Sequence, residues 1–182
     1  MKHQASVIGV VVALGSSPVI AQETPQAEIG IGYAYLNSTY QNYPLGGFAD
    51  VAFPIHHWLG MVGEVALNYH THEEVWNNQR FEVKRDRQTF LVGPRFARRG
   101  QGATLHFQVL AGAVRDKVAT SSFPEGGWST VGGLQPGLAL EARLSHALAA
   151  RIGGDALLIF AEGGGDTEWR ATAGLVYRFT RR

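Results

Sequence analysis

Histidine and carboxylate side chains are the groups in this sequence that could hold a metal ion. His70 and His72 are two positions apart and are followed by two glutamates, and imidazole with carboxylate is a donor set for zinc or copper. A second pair, His56 and His57, lies in a short turn. Neither pair has a distant third ligand that the sequence identifies. The sequence therefore predicts no metal site, and nothing in it indicates another cofactor.

Ser145 and His146 come nearest to a nucleophile and its base. The imidazole of such a pair must reach the hydroxyl, whereas adjacent residues of a strand point to opposite faces. The chain also has no cysteine, no phosphate-binding glycine loop before a helix and no paired acids on one strand. We therefore expect no catalytic residues and no enzymatic activity.

Single charged residues within small and apolar stretches are the third chemical feature. Both acidic and basic residues occur singly like this, each near the middle of an otherwise small and apolar stretch. In a narrow interior every such charge needs a partner, because an unpaired buried charge is strongly destabilising. We therefore expect a buried ion-pair network. Its members are Asp50, Glu64, Arg95, Glu141, Arg151, Asp155 and Arg170.

The elements that carry these charges have the two-residue period of β-strands. In Trp169–Phe179 every second residue is apolar or aromatic, and the other face has two arginines, a threonine and a glycine. This alternation recurs in about eight stretches of roughly ten residues, the length at which a tilted strand crosses a bilayer. The connections alternate in length. Short turns are expected at 54–58, 98–102 and 145–147, and long polar loops at 38–44, 71–86, 115–130 and 161–168.

The composition of the two strand faces indicates the solvent that each face meets. The polar face is rich in glycine and alanine and has no lysine, which suits a narrow interior. The apolar face has aromatic residues towards both ends, as in the interface girdles of membrane barrels. We therefore expect an all-β fold, a closed eight-stranded antiparallel up-and-down transmembrane β-barrel whose interior is filled by side chains. A soluble, secreted lipocalin-like barrel is the alternative. The aromatic residues are Tyr33, Tyr35, Tyr69, Phe160 and Trp169 at the loop end and Phe53, Trp58, Phe96, Tyr177 and Phe179 at the turn end.

The first residues have the three parts of a secretory signal peptide. Lys2 provides the basic start, residues 7–14 the apolar segment, and Val19 and Ala21 the small-residue cleavage site. We expect residues 1–21 to be cleaved and residues 22–182 to form one barrel domain. Without Lys2, 15 of the 16 basic residues remain against 15 acidic residues. This balance argues against nucleic acid as a partner.

The closing stretch carries a resemblance to a known family. Thr172, Gly174, Tyr177 and Phe179 fill the pattern polar-x-Gly-x-x-aromatic-x-aromatic, and the mature chain resembles small eight-stranded outer-membrane β-barrels of the OmpA-type or porin-like kind. In that family the pattern is an assembly signal for the barrel assembly machinery. It usually ends at the last Phe, whereas three residues follow here. The resemblance implies a monomer, in contact with membrane lipid, in the outer membrane of a Gram-negative bacterium.

Basic residues of the most charged loop suggest one lipid contact. Lys84, Arg85 and Arg87 would lie at the level of lipopolysaccharide phosphates, and arginine pairs well with phosphate. For the whole protein we expect a structural or surface-interaction role. A small ion-conducting pore and a lipid A-modifying barrel enzyme are the alternatives. Ser145 and His146 resemble the nucleophile and base of lipid A deacylases, but they are expected at a periplasmic turn, away from the leaflet that holds lipid A.

Overall fold

The structure is a computed structural model. It describes residues 25–38, 42–76, 79–120, 127–161 and 164–179, and for residues 72–76, 79–81 and 120 the backbone alone. The expected signal peptide, residues 1–21, lies outside these residues. Within them, no helix is long and apolar enough to cross a membrane.

Eight long strands form the barrel wall. A two-residue strand, Asn42–Tyr43, pairs with Leu36 and Asn37 at the end of the first long strand. The long strands are β1 (Ala27–Asn37), β2 (Leu45–Pro54), β3 (Leu59–Trp76), β4 (Gln79–Arg99), β5 (Ala103–Thr120), β6 (Trp128–Arg143), β7 (Leu148–Ala161) and β8 (Gly164–Phe179).

The eight strands close into one antiparallel barrel. Each strand pairs with the next, and β8 closes the barrel by pairing with the whole of β1, from Ala27 opposite Phe179 to Asn37 opposite Trp169. Closure matters in a membrane because an open edge would expose backbone groups that lipid does not hydrogen-bond. The predicted all-β, eight-stranded, up-and-down topology is therefore confirmed.

The two faces of the barrel wall differ as the alternation predicts. Apolar side chains point outward, and Ile31, Leu138 and Ile152 are 59%, 57% and 61% exposed. Charged side chains of the opposite face are buried, for example Asp50 and Arg151. A soluble lipocalin-like barrel would bury the apolar set instead. That alternative is wrong for this chain, and the outward face is suited to lipid.

Aromatic side chains form a band near each end of the outward face. Near the turns, Phe96 stacks between Trp58 and Phe107, with ring centroids 6.0 and 6.1 Å apart, and Tyr177 meets Phe179 edge-on at 4.9 Å. Amphipathic rings of this kind favour the level of lipid headgroups. The exposed aromatic residues towards the loop end are Tyr33, Tyr69, Trp128, Phe160 and Trp169.

The connections at the turn end are short, as expected. Gly100 N–H donates to the carbonyl of Ala103 at 2.8 Å and closes one of them. The two chain ends of the barrel lie at the same level, because Gln26 N–H donates to the carbonyl of Phe179 at 2.7 Å. The tight turns and the first and last residues of the barrel wall therefore lie at the same end of the barrel.

The connections across 71–86 and 115–130, at the other end, are shorter than the sequence suggested. β3 and β4 stay paired up to Trp76 opposite Gln79, so most of the expected loop 71–86 is a two-stranded hairpin. β5 and β6 likewise extend into the expected loop 115–130. Polar composition does not prevent strand pairing, because backbone groups form the ladder and both hairpin faces can meet water. The prediction of long loops at these positions is wrong.

Apolar side chains share the interior with the charged ones. The sequence pattern indicated a polar and small-residue interior, but seven buried apolar residues form a continuous cluster there. Leu110 and Val114 of β5 are fully buried within it. The cluster fills space that an open pore would leave to water. Its members are Ala52, Val62, Leu91, Leu110, Val114, Leu157 and Ile159.

Candidate functional site

Asp50 is the centre of the first interior ion-pair cluster, the Asp50 cluster. Its carboxylate accepts hydrogen bonds from Arg151 Nη1 at 2.5 Å and from Arg95 Nη2 at 3.3 Å. Arg151 also donates through Nε to Glu141 at 2.8 Å. All four side chains are more than nine-tenths buried. Because β2 and β7 are not neighbours in the wall, the contact between Asp50 and Arg151 crosses the interior.

Three members of the Asp50 cluster were not identified from the sequence. Arg178 hydrogen-bonds to Glu141 and lies 3.5 Å from Glu28, and His106 Nε2 lies 3.1 Å from Glu141 Oε1. Glu28, His106 and Arg178 are all buried. A signal for Arg178 was present, because an even number of positions separates it from Arg170. Both side chains must then lie on the same strand face.

Arg170 is the centre of a second cluster, the Arg170 cluster. Its Nη2 donates to Glu64 Oε1 at 2.6 Å, and its Nε donates to Asp155 Oδ1 at 2.9 Å. Gln135 adds a hydrogen bond to Glu64 at 3.2 Å. Arg170 on β8 and Asp155 on β7 are cross-strand neighbours, whereas Glu64 is on β3. The two clusters together hold all seven charged residues that the sequence singled out.

Arg87 is the centre of a third cluster, the Arg87 cluster, at the loop end of the interior. Its Nε donates to Asp116 Oδ1 at 2.6 Å and its Nη2 to Asp116 Oδ2 at 3.1 Å. Its Nη1 donates to Glu168, which is fully buried. The guanidinium carbon lies 5.3 Å from the ring centroid of Tyr43, within cation–π range. The three clusters therefore follow the interior from the turn end to the loop end.

The three basic residues expected to contact lipopolysaccharide do not lie together. Lys84 has an exposed side chain, with Nζ 3.3 Å from Glu82. Arg85 shares the strand face of Arg87, and its Nε is buried. Arg87 is 9% exposed and occupied by interior carboxylates. Arg87 is therefore not available to lipid phosphate, and the alternation explains why, since residues 85 and 87 lie on the face that points inward.

The closing-strand residues occupy the seam between β8 and β1. Thr172 and Gly174 lie on the inward face and Tyr177 and Phe179 on the outward face. Gly174 is opposite Gly32, and a Cβ at Gly174 would lie 2.9 Å from Gly32 Cα and collide with the backbone beside it. The glycine of the predicted assembly signal therefore permits close approach of the two strands.

The remaining chemically capable residues are dispersed. His56 and His57 are exposed in a turn, and His56 stacks on Trp58 with centroids 6.3 Å apart. His70 packs edge-on against Tyr43 at 6.0 Å, and the side chain of His72 lies outside the described residues. In the part of the chain that the structure describes, no group of three His, Asp or Glu side chains has the geometry of a metal site.

Ser145 and His146 both lie exposed in the last short turn. The Ser145 hydroxyl accepts the N–H of Leu148 at 3.1 Å, so its oxygen completes the turn. Ser145 therefore lies at the turn end of the barrel, as expected, and its hydroxyl has a structural contact there.

Two small cavities lie beside the interior clusters in the part of the chain that the structure describes. One cavity of about 20 Å³ lies beside Glu64 and Arg95, and another of the same size lies beside Glu28 and His106. A volume of this size holds about one water molecule. The interior can therefore hydrate individual polar atoms while its ion pairs keep strands from opposite sides of the barrel together.

Solved structures of outer-membrane barrels share this architecture. Ail of Yersinia pestis, solved with the heparin analogue sucrose octasulfate, is 20% identical with a TM-score of 0.58, covering 84% of this chain and 97% of that one. Neisserial surface protein A is 10% identical with a TM-score of 0.59, covering 84% and 96%. The chain has the fold of a small outer-membrane β-barrel.

A third solved structure agrees with this fold. The N-terminal β-barrel domain of Pseudomonas aeruginosa OprF is 13% identical with a TM-score of 0.53, covering 86% of this chain and 100% of that one. The sequence matches no family profile and no curated protein. The resemblance to small outer-membrane β-barrels inferred from the closing strand is thus confirmed in its fold.

Proposed function

We propose that this barrel is a monomeric, non-conducting protein of the outer membrane of a Gram-negative bacterium, with a structural or surface-interaction role. One observation carries the proposal. Buried guanidinium groups join non-neighbouring strands through a filled interior, behind an outward face of exposed apolar side chains. Such a barrel is suited to hold the hairpins at its loop end rigidly above the membrane.

The filled interior favours this role over that of an ion pore. Opening a path would require the Asp50 and Arg170 clusters to separate, and removing one partner of a buried ion pair typically costs about 3–5 kcal/mol. Eight strands also enclose an interior that side chains can fill. We therefore propose that the protein does not conduct ions in its ordinary state.

The orientation follows from the two ends of the barrel. Barrels of this kind have short periplasmic turns and longer extracellular connections. We assign the end with the turn at Gly100 to the periplasm and the β3–β4 hairpin to the cell exterior. Tyr177 and Phe179 would then lie at the periplasmic interface, where the barrel assembly machinery would read the closing strand.

Lipid A modification is not proposed. Ser145 is at the end assigned to the periplasm and its hydroxyl accepts the N–H of Leu148. No observation among the described residues supports a catalytic site elsewhere in the barrel.

Migration of the outer-membrane fraction on an SDS gel, boiled against unboiled, tests the proposal. We expect the protein in that fraction with a band that moves on boiling, because a closed barrel resists SDS until it is heated. Recovery in the soluble periplasm, with no shift, would contradict the proposal.

A further inference from the structure

Two cations lie on the outward face of the barrel where the apolar surface ends towards the loops. On β5 the outward positions are apolar up to Ala113 and are then occupied by Arg115 and Lys117. The cross-strand neighbours of Arg115 are Gln88 and Thr130. Arg115 is thus the first charged side chain above the apolar surface on this side of the barrel.

Trp128 of β6 contacts both cations. It is the cross-strand neighbour of Lys117, and its ring centroid lies 4.8 Å from the Arg115 guanidinium carbon and 5.9 Å from Lys117 Nζ. Both distances are within cation–π range. The indole remains 41% exposed, and an indole at this depth favours the interface between lipid and water.

The cations have no ion-pair partner among the described residues. Asp86 is opposite Lys117 in the strand register, but no described carboxylate is in ion-pair contact with Arg115 or Lys117. This differs from the interior, where Arg87 on the neighbouring strand is held by two carboxylates. Because no described carboxylate neutralises the outward donors, they can bind an anion from outside the protein.

We propose that Arg115, Lys117 and Trp128 form a docking site for the phosphate of an anionic glycolipid, the lipid A part of lipopolysaccharide. This inference rests on the proposed function, because the orientation places the site in the outer leaflet. The guanidinium offers paired donors to phosphate oxygens, and the ammonium adds a second charge. The indole holds both cations at the headgroup level, which reduces the side-chain freedom lost on binding.

The site replaces the lipid contact expected from Arg85 and Arg87, which are on the inward strand face. Lys84 is on the same outward face as Lys117, one register step further from the apolar surface. Its contact with Glu82 makes it a weaker candidate for phosphate. Asp86 is the one carboxylate that the register places opposite the site, so it should oppose anion binding.

Binding of fluorescent lipid A to the full-length protein in detergent, followed by anisotropy, tests the site. We expect the variant R115Q/K117Q to bind at least about tenfold more weakly, since two charge-assisted contacts are lost. D86N should bind more tightly. The matched control R98Q/R143Q removes two exposed arginines near the turn end and should bind as the wild type does.

Competition identifies the source of the phosphate. Unlabelled lipid A should displace the probe, whereas dephosphorylated lipid A and phosphatidylglycerol should do so far less effectively. Equal affinity in R115Q/K117Q and the control, or equal competition by phosphatidylglycerol, would overturn the inference. A barrel that shifts on boiling in the outer-membrane fraction yet binds no lipid A would refute this site alone, whereas loss of the shift in the wild type would refute the proposed function.

Discussion

Arg170 donates hydrogen bonds to Glu64 of β3 and to Asp155 of β7 from its own position on β8. One guanidinium therefore joins three strands, two of which are neighbours. With two carboxylates against one cation, the balance of charge at this point depends on Arg170. The stability of the barrel should be most sensitive to substitutions that leave such carboxylates without a partner.

Arg170→Gln should lower the free energy of unfolding by about 3–5 kcal/mol, because it leaves Glu64 and Asp155 buried without their cation. Urea unfolding in phospholipid vesicles measures the change. The triple variant E64Q/D155N/R170Q removes all three charges and should recover part of the loss. The exposed control Arg98→Gln should change stability by no more than about 0.5 kcal/mol. Equal stability of R170Q and the control would show that the cluster adds nothing.

Gly174→Ala should weaken closure between β8 and β1. The added Cβ would lie 2.9 Å from Gly32 Cα and collide with the carbonyl oxygen of Ile31, so the strands must separate. We expect a lower temperature for the gel shift and slower insertion by the assembly machinery. Gly63→Ala is the control, because a Cβ at this position would meet no atom within 4 Å beyond its own chain neighbours. If both variants shift at the wild-type temperature, close approach at Gly174 is not required.

The strand faces could be predicted from the sequence, but the partners of the charges could not. Alternation along one strand decides which side chains point inward, and it placed Asp50 and Arg151 there. These two residues are 101 positions apart in the sequence. Whether they come into contact depends on the tilt and stagger of their strands. Stagger is a property of the closed barrel that no single strand encodes.

Arg87 shows how a local reading of composition can mislead. Its charged neighbours suggested a solvated loop, but the strand continues and Arg87 stays in phase with Arg95. The two-residue period of the strand therefore predicted the direction of the Arg87 side chain better than the composition around it did. The lipid-facing candidates Arg115 and Trp128 were missed for a related reason, since the region 115–130 was expected to be a loop and loops have no defined faces.

The wild-type protein should show no steady current in planar lipid bilayers, because the interior is filled. The variant R95A/R151A removes two guanidinium groups around Asp50 and leaves Asp50 and Glu141 without those contacts. We expect small, cation-selective currents from it, since the enlarged space is lined by carboxylates. Its gel shift must first show that it folds. Discrete openings of the wild type at the same rate would contradict a closed interior.

Arg87→Gln should loosen the hairpins at the loop end while the rest of the barrel stays closed. Arg87 joins β4 to Asp116 of β5 and to the fully buried Glu168 of β8, and glutamine cannot neutralise these carboxylates. Treatment of intact cells with proteinase K should therefore cleave R87Q several-fold faster than the wild type, with the gel shift retained. Lys84→Gln, at an exposed position on the same strand, should be cleaved at the wild-type rate. If Arg87 instead contacted lipid phosphate, R87Q would weaken lipid A binding and leave cleavage unchanged, and the interior assignment would be wrong.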